Sequence, residues 1–68
     1  MDIGKRIRQL RKERGLTQAQ LGEATGMFDS AIRRIEQNHN NQKISTLMKL
    51  ASALGVSLTE LLEEGAGE

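Results

Sequence analysis

Cysteine and proline are absent from the 68 residues, and the chain has a single aromatic residue, Phe28, and a single histidine, His39. The absence of cysteine excludes a disulfide framework and a thiolate metal site, so apolar packing alone must hold the fold together. One histidine cannot hold a metal ion by itself, and no apolar run approaches the ~20 residues that span a bilayer. With a polar N-terminus, these absences predict a soluble, cytoplasmic protein without a metal or cofactor.

The chain also lacks features that enzymes commonly use for catalysis. A domain of this length buries only ~60% of the surface that its unfolded chain exposes, which leaves little room for a deep cleft. The sequence has no Cys, Tyr or Trp, and it has no glycine loop that would cradle a phosphate. A binding module is therefore favoured over a catalyst.

Positive charge is concentrated before residue 57. Residues 1–56 carry all ten Lys and Arg against five acids, a net charge of +5, whereas residues 57–68 carry four Glu and no base. An anionic partner is expected to bind the basic part. Such an excess is also common on helices that never contact nucleic acid, so charge alone does not decide the function.

Apolar residues recur at helical spacing in five stretches, and no sustained alternation of apolar and polar residues indicates a strand. The spacing predicts helices at about 3–14, 18–25 and 29–37, a fourth that follows Ser45 and a fifth that follows Ser57. The predicted inward residues are Ile3, Ile7, Leu10, Leu21, Ile32, Ile35, Leu47, Leu50, Ala51, Leu54, Leu58, Leu61 and Leu62. The fold class is all-α, one compact five-helix domain over residues 1–64 with a frayed tail at 65–68.

Residue types that are typical of helix ends flank these stretches. The predicted N-caps are Asp2, Thr17, Ser45 and Ser57, the last in a capping box with Glu60. The predicted C-terminal stops, which tolerate the left-handed conformation, are Gly15, Gly26, Asn38 and Gly55. The polar stretch 38–43 is predicted to form a loop.

Residues 18–36 carry the pattern with the most functional content, two short helices that are joined at Gly26. Gly22 has no Cβ at the point where the second helix must approach the third closely, and Gly26 permits a sharp turn. The residues that bury the inner faces are Leu21, Met27, Ile32 and Ile35. These requirements together fix the angle between the two helices.

Three segments then carry a family likeness: residues 8–18 (RQLRKERGLTQ), 32–36 (IRRIE) and 50–57 (LASALGVS). The chain resembles the helix-turn-helix family of lambda-type phage repressors, Cro proteins and Xre-like bacterial regulators in nearly every helical segment from Gly4 to Leu62. The resemblance implies a third helix in the major groove and operator binding as a symmetric homodimer. It also implies a bacterial or phage-encoded repressor at the nucleoid, with double-stranded DNA as its partner.

The resemblance further implies roles for individual residues. Phosphate contacts are expected from Arg11, Thr17, Gln18, Asn38, Asn40, Asn41 and Lys43. Base contacts are expected from Asp29, Ser30, Arg33 and Arg34. A structural salt bridge is expected between Arg11 and Glu36, and dimer contacts are expected from Leu58, Leu61 and Leu62.

Several of these residues also have a plainer interpretation. Gln18 is otherwise an ordinary first-turn residue, and the three leucines can instead complete the core of the monomer.

Arg34 is the first choice for guanine, because one guanidinium can bond O6 and N7 together. Arg33 can instead contact a phosphate or pair with Asp29, and Asp29 can simply complement the positive helix terminus. Lys5, Arg6 and Arg8 can make further phosphate contacts, or they can simply form the exposed side of the first helix. His39 can join the loop residues that contact the DNA backbone, or it can be a solvated loop residue.

Phe28 departs from the family pattern, which commonly begins the third helix with a Ser or Thr cap. The change forfeits a capping bond that is worth ~1 kcal/mol unless a neighbour substitutes. The ring can contact a thymine methyl, pack as a staple against Ile32, or mark a surface for a protein partner. Exposure of Met27 and Phe28 would favour the alternative function, an antitoxin-like or other protein-interaction module.

The loop before the fourth helix also departs from the family pattern, because it lacks the basic, proline-containing sequence of many relatives.

Overall fold

The computed structural model describes residues 2–37 and 42–63, and these residues form five helices and no strand. The helices are α1 (Ile3–Glu13), α2 (Gln18–Thr25), α3 (Asp29–Gln37), α4 (Ile44–Leu54) and α5 (Leu58–Leu62). The predicted all-α class is confirmed, and the first three helices begin at the predicted residues. No helix in the described part is long and apolar enough to cross a membrane.

Three of the four predicted N-caps are confirmed by side-chain hydrogen bonds. Asp2 accepts from the Lys5 N–H at 3.0 Å, and Ser57 accepts from the Glu60 N–H at 3.0 Å. Thr17 accepts from the Gln20 N–H at 3.0 Å, and Gln20 returns the bond by accepting from the Thr17 N–H at 2.9 Å. This reciprocal capping box fixes the first turn of α2, which is the turn that carries Gln18.

The predicted cap Ser45 is wrong. Helix α4 begins at Ile44, the cap position is Lys43, and no side chain caps this end. The Lys43 carbonyl accepts the first helical bond from the Leu47 N–H at 3.0 Å, which places Ser45 inside the first turn. A lysine side chain has no acceptor, so this helix start is held by backbone bonding and by the packing of Leu47 and Leu50.

Glycines end three helices as predicted. Gly15, Gly26 and Gly55 have φ values of 69°, 76° and 73°. At Gly26 the left-handed conformation ends α2, and only Met27 and Phe28 lie between this glycine and α3. A residue with a Cβ adopts this conformation only at a cost. Asn38, the predicted stop of α3, lies outside the described residues, as do residues 39–41 and the predicted tail.

The core lies between all five helices, and α3 packs against both α2 and α1. Among the described residues, the largest completely buried side chains are Ile7, Leu21, Ile32, Leu50, Leu54 and Leu61. Val56, just beyond the end of α4, is also buried, although helical spacing did not predict it. The prediction that Leu61 contacts a second copy is wrong, because a side chain with 0% exposure offers a partner no surface. Leu58 and Leu62 are only partly buried.

Candidate nucleic-acid interface

The turn between α2 and α3 is as tight as the sequence predicts. A Cβ on Gly22 would lie 2.5 Å from the Met27 carbonyl oxygen, closer than real Cβ atoms come. The Met27 N–H donates to the Gly22 carbonyl at 2.8 Å, so backbone meets backbone at this point. Because neither group is a flexible side chain, Gly22 fixes how closely α2 can approach the start of α3.

Helix α3 divides into a buried face and an exposed face. Ile32 and Ile35 are buried in the core, and Glu36 is buried beside them. The four predicted base-contacting residues are all exposed: Asp29, Ser30, Arg33 and Arg34. The polar face of α3 is therefore open to a partner along its whole described length.

A buried ion pair holds the last turn of α3 to α1. Arg11 Nε donates to Glu36 Oε2 at 2.6 Å, and Arg11 Nη2 donates to Glu36 Oε1 at 3.2 Å. The remaining nitrogen, Nη1, donates to the Leu16 carbonyl at 2.8 Å. The predicted salt bridge is confirmed. Arg11 is only 8% exposed, and each of its nitrogens donates a hydrogen bond within the protein. Its role in holding α1 to α3 is therefore observed, whereas its phosphate contact stays a prediction.

Gln18 is part of the same network. It is the first residue of α2, half-buried, and its Nε2 donates to Glu36 Oε1 at 3.2 Å. The side-chain amide has two N–H groups, so one remains for another acceptor. The bond from Gln18 to Glu36 was not anticipated, because no local spacing relates residues on different helices.

A pocket of about 230 Å³ opens beside this network. It is lined by Arg8, Arg11, Gln18, Arg33, Glu36 and Gln37, which come from α1, α2 and α3. We call it the basic pocket. Within the described ranges, Arg33 makes no ion pair with Asp29, so the pairing that their spacing permits is not formed.

Phe28 stands at the cap position of α3 with its ring exposed. Its carbonyl accepts from the Ala31 and Ile32 N–H groups at 2.9 and 3.2 Å, but its side chain carries no acceptor. The ring is 83% exposed whereas Ile32 is completely buried, so the predicted staple between them is wrong. Met27 is partly buried against the core, which leaves Phe28 as the exposed apolar residue of this turn.

The other predicted phosphate contacts are only partly described. Thr17 and Lys43 are exposed, whereas Asn38, His39, Asn40 and Asn41 lie outside the described residues. On α1, Lys5 and Arg8 are exposed. Arg6 is turned toward α5, where its Nη2 donates to the Glu60 carbonyl at 3.0 Å. Over residues 2–37 and 42–63, no group of three His, Cys, Asp or Glu side chains could hold a metal ion.

Two short helices, a glycine turn between them and an exposed polar face on the second define a helix-turn-helix domain. The chain belongs to the helix-turn-helix family, whose model matches residues 7–61. Over 64 residues it is 41% identical to the immunity repressor protein of Bacillus phage phi105, covering 94% of this chain and 44% of the repressor. The chain thus spans less than half the length of that relative.

Two solved structures have the same architecture. One is the master regulator for biofilm formation SinR in complex with DNA, with a TM-score of 0.80, 40% identity, and coverage of 90% of this chain and 98% of that one. The other is the restriction-modification controller protein C.AhdI from Aeromonas hydrophila, with a TM-score of 0.82, 33% identity, and coverage of 88% and 87%. The predicted family and five-helix fold are confirmed.

Proposed function

We propose that this chain is the DNA-binding domain of a transcriptional repressor, and that α3 enters the major groove of duplex DNA. The observation that carries the proposal is the division of α3, in which Ser30 and Arg34 are exposed while Ile32 and Ile35 anchor the helix in the core. The relatives described above are named a repressor, a regulator and a controller protein, and one of them was solved in complex with DNA.

In the proposed complex, Arg34 selects guanine. A guanidinium can donate to O6 and N7 of one guanine together, and such a pair discriminates against other bases by ~1–3 kcal/mol. Ser30 accepts from or donates to a neighbouring base edge, and Asp29 accepts from a cytosine amino group or complements the N-terminus of α3. Gln18 donates its free amide hydrogen to a backbone phosphate, which sets the position of α3 along the groove.

We further infer that two copies bind a palindromic operator, in the compartment that holds the chromosome. Leu58 and Leu62 of α5 are partly exposed, so each has apolar surface that a second copy can cover. Sedimentation of the protein on operator DNA is expected to show two copies per site. One copy per site at saturating protein would contradict this part of the proposal.

The alternative of an antitoxin-like or other protein-interaction module draws on Phe28 alone, because Met27 is partly buried. The names of the relatives given above do not favour it. A chain that binds no duplex DNA even at low salt would favour this alternative.

Fluorescence anisotropy with labelled DNA tests the proposal directly. The chain is expected to bind a duplex more tightly than a single strand of the same composition, and to bind less tightly as salt rises. Ser30→Glu places a negative charge on the open face of α3 and should abolish binding. Ser52→Glu makes the same chemical change on an exposed residue of α4 and should leave binding nearly intact. Equal losses from the two variants, or no duplex binding at low salt, would refute the proposal.

A further inference from the structure

The basic pocket contains three guanidinium groups and a single carboxylate. Arg8 and Arg11 come from α1, Arg33 comes from α3, and the carboxylate belongs to Glu36. Glu36 already accepts three hydrogen bonds, two from Arg11 and one from Gln18. The charges of Arg11 and Glu36 cancel within the wall of the pocket, so Arg8 and Arg33 are its uncompensated charges.

Arg8 and Arg33 are both exposed, and neither makes an ion pair with any residue in the described part of the chain. They stand on different helices and line the same small space, where two like charges repel unless an anion lies between them. The half-buried amide of Gln18 lines the same space and has one N–H group that Glu36 does not use. All three side chains therefore have N–H groups that are free to donate to an anion in the pocket.

The size of the pocket limits what can occupy it. At about 230 Å³ it is smaller than the ~300–1,000 Å³ that is typical of sites for drug-sized ligands. Guanidinium groups present paired N–H donors whose geometry matches the oxygens of a phosphate. A single phosphate group therefore fits both the charge and the dimensions.

We propose that the basic pocket binds one phosphate group, held by Arg8 from α1 and by Arg33 from α3, with the Gln18 amide as a further donor. The inference rests on the proposed function, in which this group is a phosphate of the DNA backbone next to α2. It assigns Arg33 to the backbone instead of to a base edge, and it adds Arg8 to the residues that bind DNA. Arg34, the next residue of α3, does not line the pocket and remains the residue that selects a base.

The salt dependence of duplex binding distinguishes one shared phosphate from two separate ones. Each neutralised phosphate contributes ~0.9 to the slope of log K against log salt concentration. Arg8→Ala and Arg33→Ala should each weaken binding on all sequences alike, yet each should leave the slope nearly unchanged because the phosphate keeps one guanidinium. The double variant should lower the slope by ~0.9. Lys12→Ala removes one exposed charge of α1 outside the pocket and serves as the matched control for net charge.

Two results of these binding measurements would overturn the inference. If each single variant lowers the slope by ~0.9 and the double variant by twice that, the two arginines bind separate phosphates. If Arg33→Ala changes which base pair is preferred at one position, Arg33 contacts a base. In both cases duplex binding by the unaltered chain would stand, so the proposed function would survive the loss of the inference.

Inorganic phosphate separates the pocket from the DNA. In a nitrogen-edited NMR titration, phosphate should shift the side-chain amide signals of Gln18 in the unaltered chain and should not shift them in the double variant. If the chain binds no duplex but shows this difference, the proposed function fails while the pocket stands, and its phosphate comes from a free ligand. Equal shifts in the two proteins would overturn the inference whether or not DNA binds.

Discussion

Arg11 on α1 and Glu36 on α3 are 25 positions apart and are joined by two hydrogen bonds, of 2.6 and 3.2 Å, between side chains that are 9% and 4% exposed. Glu36 also accepts from Gln18, so one carboxylate links the start of α2, the last turns of α1 and the end of α3. Because α3 carries the proposed base contacts and Gln18 the proposed phosphate contact, this carboxylate holds the two in a fixed relation.

Removing Glu36 should cost the protein a large part of its stability. Glu36→Ala leaves the buried Arg11 without a partner, and breaking a buried pair in this way costs ~3–5 kcal/mol. A domain of this length has a total stability of only ~3–10 kcal/mol. Urea denaturation followed by circular dichroism measures the loss.

The double variant Arg11→Met/Glu36→Leu serves as the control for the Glu36 experiment. It removes both charges and fills the space with apolar groups, so it should recover most of the free energy of unfolding. A loss below 1 kcal/mol for Glu36→Ala, which is typical of exposed pairs, would show that the pair is not buried in solution.

Gly22→Ala should lower both stability and DNA affinity. The added Cβ would meet the Met27 carbonyl oxygen at 2.5 Å, and backbone at a tight turn cannot move without changing the angle between α2 and α3. Overpacking of this kind costs ~1–3 kcal/mol. Thermal denaturation and anisotropy on the same duplex measure the two effects.

Gly55→Ala is the control for Gly22→Ala. Gly55 has a positive φ but no atom within 4 Å of its would-be Cβ, so the variant should cost ~1–2 kcal/mol through backbone strain alone. The folded variant should bind DNA normally, because Gly55 ends α4 and does not touch the turn before α3. Equal affinity losses in the two variants would show that the angle at Gly22 does not matter for binding.

Gln18→Ala should weaken binding to every duplex by a similar factor. A hydrogen bond to a charged group is worth ~1.5–3 kcal/mol, so a loss of tenfold or more is expected. A phosphate contact carries no base information, and sequence preference should therefore be unchanged. Gln9→Ala, a glutamine of α1 that bonds only Glu13, should bind like the unaltered chain. A loss confined to certain sequences would place Gln18 against a base.

Phe28→Ser should stabilise the protein. The ring is 83% exposed and contributes little to the core, while a serine at the cap position can accept from a free N–H of the first turn of α3. The free energy of unfolding should rise by ~1 kcal/mol, whereas Phe28→Ala should change it by less than ~0.5 kcal/mol. A large destabilisation in urea by either variant would mean that the ring packs in solution. A loss of affinity for A·T-containing sites would instead support contact with a thymine methyl.

The sequence predicted the fold and the open face of α3 because both depend on short-range periodicity. Thr17, Gly26 and the spacing of Ile32 and Ile35 act over at most one or two helical turns, and the structure agrees at each of them. Ser45 was predicted as a cap from its residue type alone, whereas α4 begins at Ile44 and the Lys43 carbonyl accepts its first helical bond.

Features that depend on tertiary contact do not follow from the local sequence pattern. Arg8 and Arg33 are 25 positions apart, and only the packing of α1 against α3 brings them to one pocket. The Arg11–Glu36 pair was predicted through the family resemblance, since nothing in the local pattern relates these two residues. Leu61 was assigned to the dimer contact although it is buried in the monomer. Helical spacing places it on an apolar face but does not say whether the monomer or a second copy covers that face.

Selection of bound duplexes from random DNA at a fixed salt concentration tests the central claim most directly, namely that the exposed face of α3 recognises base pairs. The unaltered chain should enrich a defined site with a guanine opposite Arg34 in each half. Arg34→Ala should enrich the same site with that one position relaxed. Recovery of no preferred sequence by the unaltered chain, or of an identical site by the variant, would contradict the account.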